Sequence, residues 1–146
     1  MLTQLNLPPA GLELSRSGET IYIKCLIRKK KLVLTPEEWV RQHIIYALIH
    51  HFSVSDSLIG VEVGLNYNGR KKRADIVVYN RSGKVNVLIE CKAPEVQLSY
   101  ETLFQIAQYN SVFNADKLLI SNGIQHYTTQ VNPGINIREG FPEFNS

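Results

Sequence analysis

Cysteine is nearly absent. The chain has two, Cys25 and Cys91, each inside an apolar run. They do not share metal-ligand spacing, which sets aside a zinc site, and isolated buried thiols suit a reducing compartment. No apolar run approaches the length of a membrane span. Residues Met1 to Pro9 lack the continuous apolar stretch of a signal peptide. A cytoplasmic location is expected. There is no internal repeat and no low-complexity linker, so one domain is expected. A glycine-rich phosphate loop is missing too, which removes nucleotide-driven motor chemistry. No Ser/His/Asp or Cys/His constellation stands out along the chain.

What remains is an ordinary globular balance. The 146 residues are 44% hydrophobic and 20% charged, enough to bury a core without covalent staples. A net charge of +3 says little about partners, but its distribution says more. Basic residues gather in Arg28-Lys29-Lys30-Lys31 and in Arg70-Lys71-Lys72-Arg73, both at apparent turns. One such cluster reads as a solvated hairpin tip. Two in one small domain point toward a polyanion.

Along the chain, Ile21 to Ile27 is β-branched and aromatic, and with Leu32-Val33-Leu34 it predicts a small hairpin. Thr35-Pro36-Glu37-Glu38 announces a helix, with Thr at the N-cap, Pro first and Glu three residues after the cap. That helix should run to about Phe52, carrying Val40, Ile44, Ala47 and Leu48 on one stripe. Ile59, Val61, Val63 and Leu65 alternate with Gly60, Glu62 and Gly64, the pattern of a half-buried strand. Strands Ala74 to Tyr79 and Val85 to Lys92 follow, then a helix from about Ser99 to Phe113. Lys117 to Ser121 and Ile124 to Thr128 flank Asn122-Gly123, a hairpin signal. The order predicts an α/β fold, a mixed sheet packed with helices. Its parts are an arm over 1–20, a hairpin over 21–34, a core over 35–130 and a tail over 131–146.

Strand side chains alternate faces, so Glu90 and Lys92 point one way while Val85, Val87, Ile89 and Cys91 form an apolar opposite face. A hairpin turning at Ser82-Gly83 sets Asp75 opposite Glu90. Directly opposed Cβ atoms lie roughly 5 Å apart, and like charges there repel. A divalent cation shared by both carboxylates offsets that repulsion, and hard oxygen ligands suit Mg²⁺ or Mn²⁺. The backbone carbonyl of Cys91 is a candidate third ligand. The Lys92 ammonium can orient a water and stabilise charge developing on a phosphodiester. The basic run ending at Arg73 adjoins Asp75, where it would meet phosphates. An Asp and a Glu-x-Lys at strand ends also occur as plain surface ion pairs.

Together these residues resemble a known family. The stretches Arg70-Lys71-Lys72-Arg73-Ala74-Asp75-Ile76-Val77-Val78, Val87-Leu88-Ile89-Glu90-Cys91-Lys92-Ala93-Pro94 and Gln105-Ile106-Ala107-Gln108-Tyr109 carry the likeness. Thr35 to Gln42 fits the same group. The chain is similar to the N-terminal nuclease domain of the R subunit of type I restriction enzymes, and to stand-alone bacterial proteins with that domain. The resemblance implies a restriction-endonuclease-like, PD-(D/E)xK core using Asp75, Glu90 and Lys92 around a catalytic metal. It also implies an acidic residue from the first helix, Glu38 or Glu37, though a capping box wants Glu38 there regardless. Gln105 and Tyr109, at i,i+4 on one helical face, would lie near the site and help position it. Ala74 departs from the motif's Pro, and without a glycine-rich phosphate loop in these 146 residues no translocation is expected of them by themselves.

The expected activity is Mg²⁺-dependent endonucleolytic cleavage of DNA, restriction- or repair-related. The alternative is a module on a nuclease fold that binds nucleic acid or protein without cutting. Arg70, Lys71, Lys72, Arg73, Lys29 and Lys30 are the expected nucleic-acid contacts. DNA, a second copy of the chain and a restriction-system subunit are the expected partners. His50 and His51 suit a helix C-terminus, Trp39 suits packing, and His126 is at most a minor phosphate contact.

Overall fold

Thr35 starts the first helix as its sequence implies. Its hydroxyl accepts from the Glu38 N–H at 3.1 Å, and Pro36 opens the helix where a missing N–H costs nothing. In the computed structural model, which describes residues 2–130 and 134–144, this helix is α1 (Pro36–His50). Its expected stripe, Val40, Ile44, Ala47 and Leu48, is fully buried. The second helix, α2 (Tyr100–Asn110), is capped by the Ser99 hydroxyl and gives way to a 3-10 turn over Ser111–Phe113.

Two sheets are present among the described residues. The smaller is antiparallel: β1 (Leu14–Ser17), β2 (Thr20–Lys24) and β3 (Lys31–Val33). The larger runs in chain order: β4 (Ile59–Tyr67), β5 (Arg70–Tyr79), β6 (Val85–Cys91), β7 (Lys117–Ser121), β8 (His126–Gln130) and β9 (Asn136–Glu139). Neighbours are antiparallel except β6 and β7, which run parallel. A parallel pair needs a crossover, and α2 supplies it.

The two helices cover opposite faces of this sheet. Val40, Ile44, Ile45 and Leu48 of α1 pack with Ile76, Val78, Val87, Ile89, Cys91 and Leu119. Leu103 and Ala107 of α2 pack with Val77, Leu88, Leu118 and Ile120 on the other side. Central strands buried on both faces explain why their sequences are nearly continuous apolar runs. No helix among the described residues is long and apolar enough to cross a membrane.

The register at the chemical end of the hairpin is the expected one: Ile76 pairs with Ile89, Val77 with Leu88 and Val78 with Val87. A bulge at Val78/Tyr79 then slips the pairing, so that Tyr79 meets Val85. The neighbouring strand is bent. Val61 pairs with Ile76 and Val63 with Ala74, leaving Glu62 between them at φ 51°. The bend brings Val63 so close that a Cβ on Gly60 would lie 2.6 Å from its Cγ2.

Several expectations need correction. The basic run Arg70-Lys71-Lys72-Arg73 is not a turn but the start of β5. The turn is Asn68-Gly69, at φ 50° and 82°, the two left-handed residues that a tight hairpin requires. The β7–β8 connection is a four-residue loop, 122–125, rather than a two-residue turn at Asn122-Gly123, because Ser121 pairs directly with His126. Asn122 Oδ1 organises it by accepting from the Ile124 and Gln125 N–H groups. Part of the arm forms β1, and part of the tail forms β9. The rest of the expected tail lies in part outside the described residues.

Candidate active site

Asp75 sits one step beyond the Ile76–Ile89 pair, so the β5–β6 register sets it beside Glu90. Its Oδ2 accepts from the backbone N–H of Cys91 at 2.8 Å. Burial pushes the Asp75 carboxyl up to about 6. The Cys91 N–H works the other way, the charge of Glu90 adds to the rise, and Arg41 opposes it. Cys91 itself is buried, and burial together with Asp75 pushes its thiol up, so it stays neutral. Its N–H, rather than its carbonyl, is the group that meets Asp75.

Glu90 has a cation beside it already. Its carboxylate is ion-paired with the Lys72 ammonium, which also donates to Asn110 Oδ1 at 2.6 Å and lies 5.7 Å from the centre of the Tyr109 ring. Asn110 is anchored in turn by donating to the Ile106 carbonyl at 2.8 Å. Only 9% of the Lys72 side chain is exposed, which corrects its expected place among open nucleic-acid contacts. Arg70 lies over the same ring, 4.9 Å from its centre. Tyr109 therefore reaches the acidic pair through Lys72. Gln105 is exposed on α2, and no hydrogen bond joins it to Asp75 or Glu90 among the described residues.

Lys92 follows β6, and its backbone N–H donates to the Ser121 carbonyl at 2.8 Å. Its side chain is half-buried, and among the described residues no hydrogen bond or ion pair engages the ammonium. The residue on the same strand end as the two acids is thus the one cation there that no carboxylate holds.

On the α1 side, Glu38 is 7% exposed. Its carboxylate does not close the capping box. It takes both the Nε and an Nη of Arg41, the former at 2.9 Å, and also accepts from Gln42 Nε2 at 2.9 Å. Arg41 continues to Glu62 at 3.2 Å. Burial works against the Arg41 charge, but Glu38, Glu62 and Asp75 outweigh it and hold the guanidinium above its ordinary range. Glu37 is exposed, and its charge contributes to the rise at Asp75. Glu38 is therefore the buried partner of Arg41, while Glu37 is the acid of α1 whose field reaches Asp75.

Sequence reasoning passed over Arg41 and Glu62. Glu62 lies between the Val61–Ile76 and Val63–Ala74 pairs of the β4–β5 ladder and pairs with Arg28 at 2.8 Å, Arg41 at 3.2 Å and Arg73 at 3.6 Å. The signal was present, since Glu62 is the single charge in the apolar strand Ile59 to Leu65. For Arg41 it was a charge set between Val40 and Ile44 on a helix whose stripe is core.

The remaining basic residues divide. Lys71, Arg73, Lys29 and Lys30 are exposed, and Arg70 and Lys72 are turned to α2. His126 holds Ser121 Oγ and the Asn6 carbonyl with its two ring nitrogens, at 2.7 and 2.8 Å, so both are engaged within the fold. Trp39 donates from its indole to the Thr3 carbonyl at 2.9 Å and packs edge-on against His43.

Whether this donor set suits a divalent ion follows from its chemistry. Two carboxylates repel across adjacent strands, and one is held partly neutral by burial, which is the environment a cation relieves. Among the described residues no group of three His, Cys, Asp or Glu side chains has metal-holding geometry. Two carboxylates with water completing the shell suit Mg²⁺, which keeps several waters, better than Zn²⁺.

No curated protein matches the chain. The family model for the type I restriction enzyme R protein N terminus matches residues 36–144, from the start of α1 to beyond β9. That span takes in the acidic pair, Lys92 and both helices, and by it the chain belongs to the family of type I restriction enzyme R protein N-terminal domains.

Proposed function

We propose that this restriction-related domain is a divalent-metal-dependent endonuclease that hydrolyses phosphodiester bonds of DNA on a PD-(D/E)xK core. The observation that carries this reading is the β5–β6 register, which sets Asp75 beside Glu90 on the adjacent strand, where burial raises the Asp75 carboxyl to about 6. A half-buried acidic pair of this kind is a poor structural element and a good cation site. Asp75 and Glu90, with the Cys91 carbonyl, would hold Mg²⁺ or Mn²⁺. The ion, when bound, supplies positive charge to a phosphodiester oxygen and acidifies a water.

The chain's own residues do the rest. Lys92, two residues after Glu90 and with no carboxylate on its ammonium among the described residues, would orient the attacking water and stabilise charge on the phosphate as it develops. Arg41 holds Glu38 and Glu62 in place and biases Asp75 toward its ionised form. Tyr109 and Asn110 fix Lys72 against Glu90, a positioning role. Cutting both strands suits two copies of the chain, and the family suits a restriction-system assembly.

A second reading has one observation in its favour. Glu90 is already neutralised by Lys72, as in a domain that binds nucleic acid or protein without a metal. Plasmid nicking separates the two. Supercoiled DNA incubated with Mg²⁺ or Mn²⁺ should be nicked by the wild type and protected by EDTA. Lys92→Ala should lose about 10²-fold or more of the rate. Equal nicking by wild type and Lys92→Ala would assign the activity to a contaminant and leave the binding module.

A further inference from the structure

Three arginines from three separate segments converge on one carboxylate. Arg28 comes from the loop between β2 and β3, Arg41 from α1 and Arg73 from β5, and all pair with Glu62. One negative charge does not balance three positive ones. Arg41 is spoken for, because Glu38 also holds it. Arg28 also meets the Cys25 thiol, whereas Arg73 has no carboxylate but Glu62 among the described residues. A guanidinium carries five N–H donors in a fixed fork. Arg73 gives Glu62 a single contact at 3.6 Å and is 72% exposed. Arg28 gives one hydrogen bond to Glu62 at 2.8 Å, and its Nε is buried without a hydrogen-bond partner.

The surroundings add to the excess. Lys29 and Lys30 follow Arg28 and are exposed, and exposed Lys71 shares with Arg73 an open cleft of about 470 Å³ along the β4–β5 hairpin. No side chain fills the outer side of that hairpin at Gly64, where a Cβ would meet nothing within 4 Å. Glu62 adopts its left-handed backbone between the Val61–Ile76 and Val63–Ala74 pairs, a conformation that costs an ordinary residue about 1–3 kcal/mol and persists where surrounding contacts require it. That bend places one carboxylate between Arg28 and Arg73, the latter two residues before Asp75 on the same strand.

We propose that Arg28 and Arg73, spaced by Glu62, form a subsite for a backbone phosphate of a nucleic-acid strand, next to the phosphate that meets Asp75 and Glu90. This rests on the nucleic-acid reading above but not on cleavage. Arg73, 72% exposed, can turn its planar fork to a phosphate, Arg28 beside it adds positive charge, and Glu62 bridges the two while the subsite is free. Arg70 and Lys72, turned to α2, take no part.

The test is binding of a fluorescent oligonucleotide, as DNA and as RNA, to the full-length chain in EDTA, followed by anisotropy across a salt series. Each phosphate contact contributes about 0.9 to the slope of log affinity against log salt for duplex DNA and about 0.7 for single strands. Arg28→Gln and Arg73→Gln should each weaken binding roughly 5- to 10-fold near 0.1 M salt and flatten the slope by about one contact, and the double variant by about two. Lys84→Gln, at the far end of β5 and β6, should leave both unchanged. Thermal melting of each variant excludes loss of fold as the cause. Slopes equal to wild type in both arginine variants would overturn the subsite, as would a wild type that binds neither nucleic acid. Displacement of the oligonucleotide by inorganic phosphate at constant ionic strength would also overturn it, in favour of a free-anion site. A chain that binds with these slopes yet never nicks plasmid would keep the subsite while the nuclease reading fails.

Discussion

Cys91 donates its backbone N–H to Asp75 Oδ2 at 2.8 Å, so the last residue of β6 orients the acid of β5 beside it. That single bond stabilises the ionised form, yet burial and Glu90 outweigh it and leave Asp75 at about 6, against an ordinary value of 3.8. The consequence is a definite dependence on pH.

A carboxyl raised in the folded state binds its proton more tightly there than in the unfolded chain. Its contribution to stability is complete below about 3.8 and is lost as pH rises through about 6. Asp75→Asn mimics the protonated form at every pH. In EDTA it should be more stable than wild type at pH 7.5, by at most about 3 kcal/mol from a shift of roughly two units. The advantage should shrink toward zero near pH 4. Thermal melts at both values measure it, and a gap that does not change with pH would contradict the burial of Asp75.

A cation between Asp75 and Glu90 should recover that lost stability. Mn²⁺ or Mg²⁺ at about 100 times its dissociation constant adds ~2.7 kcal/mol, a rise of several degrees in Tm for a chain of this size. The rise should be present at pH 7.5, reduced at pH 5, and absent in Asp75→Asn and Glu90→Gln. An equal shift in all three proteins would place the ion elsewhere.

Lys72 and Lys71 are adjacent in sequence and should behave as opposites. Lys72 and Glu90 are 9% and 15% exposed, so Lys72→Met strips a buried carboxylate of its partner and should cost about 3 kcal/mol. Mn²⁺ should restore part of it. Lys71→Gln, on an exposed side chain, should stay within about 0.5 kcal/mol of wild type. Urea denaturation decides between this arrangement and a uniformly exposed basic run.

Glu38 and Glu37 make a similar contrast on α1. Glu38→Ala leaves the Arg41 guanidinium without its two-pronged partner and should destabilise by about 3 kcal/mol. Glu37→Gln should scarcely change stability, but it should lower the pH at which Asp75 titrates, because one of the charges raising it is gone. NMR titration of the Asp75 carboxyl carbon in the Glu37→Gln protein reads this directly, and an unmoved midpoint would remove Glu37 from the site's field.

Much of the architecture was legible because local rules agreed with one another. The Thr35 cap, the stripe of α1, the apolar alternation of β6 and the pairing of Asp75 with Glu90 all follow from periods of 3.6 and 2 and from one turn. The errors share a cause as well. Arg70-Lys71-Lys72-Arg73 looks like a turn because charge suggests solvent. In the fold it is a strand whose alternate residues face α2, and Lys72 is buried by Glu90, Asn110 and Tyr109. No pattern within β5 reveals a partner 38 residues away on a helix.

Side-chain periodicity and short-range register were enough to predict both helices, most of β2 to β8 and the two acids on neighbouring strands, though not β1, β9 or the start of β5. Tertiary structure alone decided the charges: which cation neutralises Glu90, why Glu38 binds Arg41 rather than its own cap, and how Glu62 gathers three arginines. Those outcomes depend on distances between segments far apart in the chain, and on the removal of water, which turns weak ion pairs into determinants of a site.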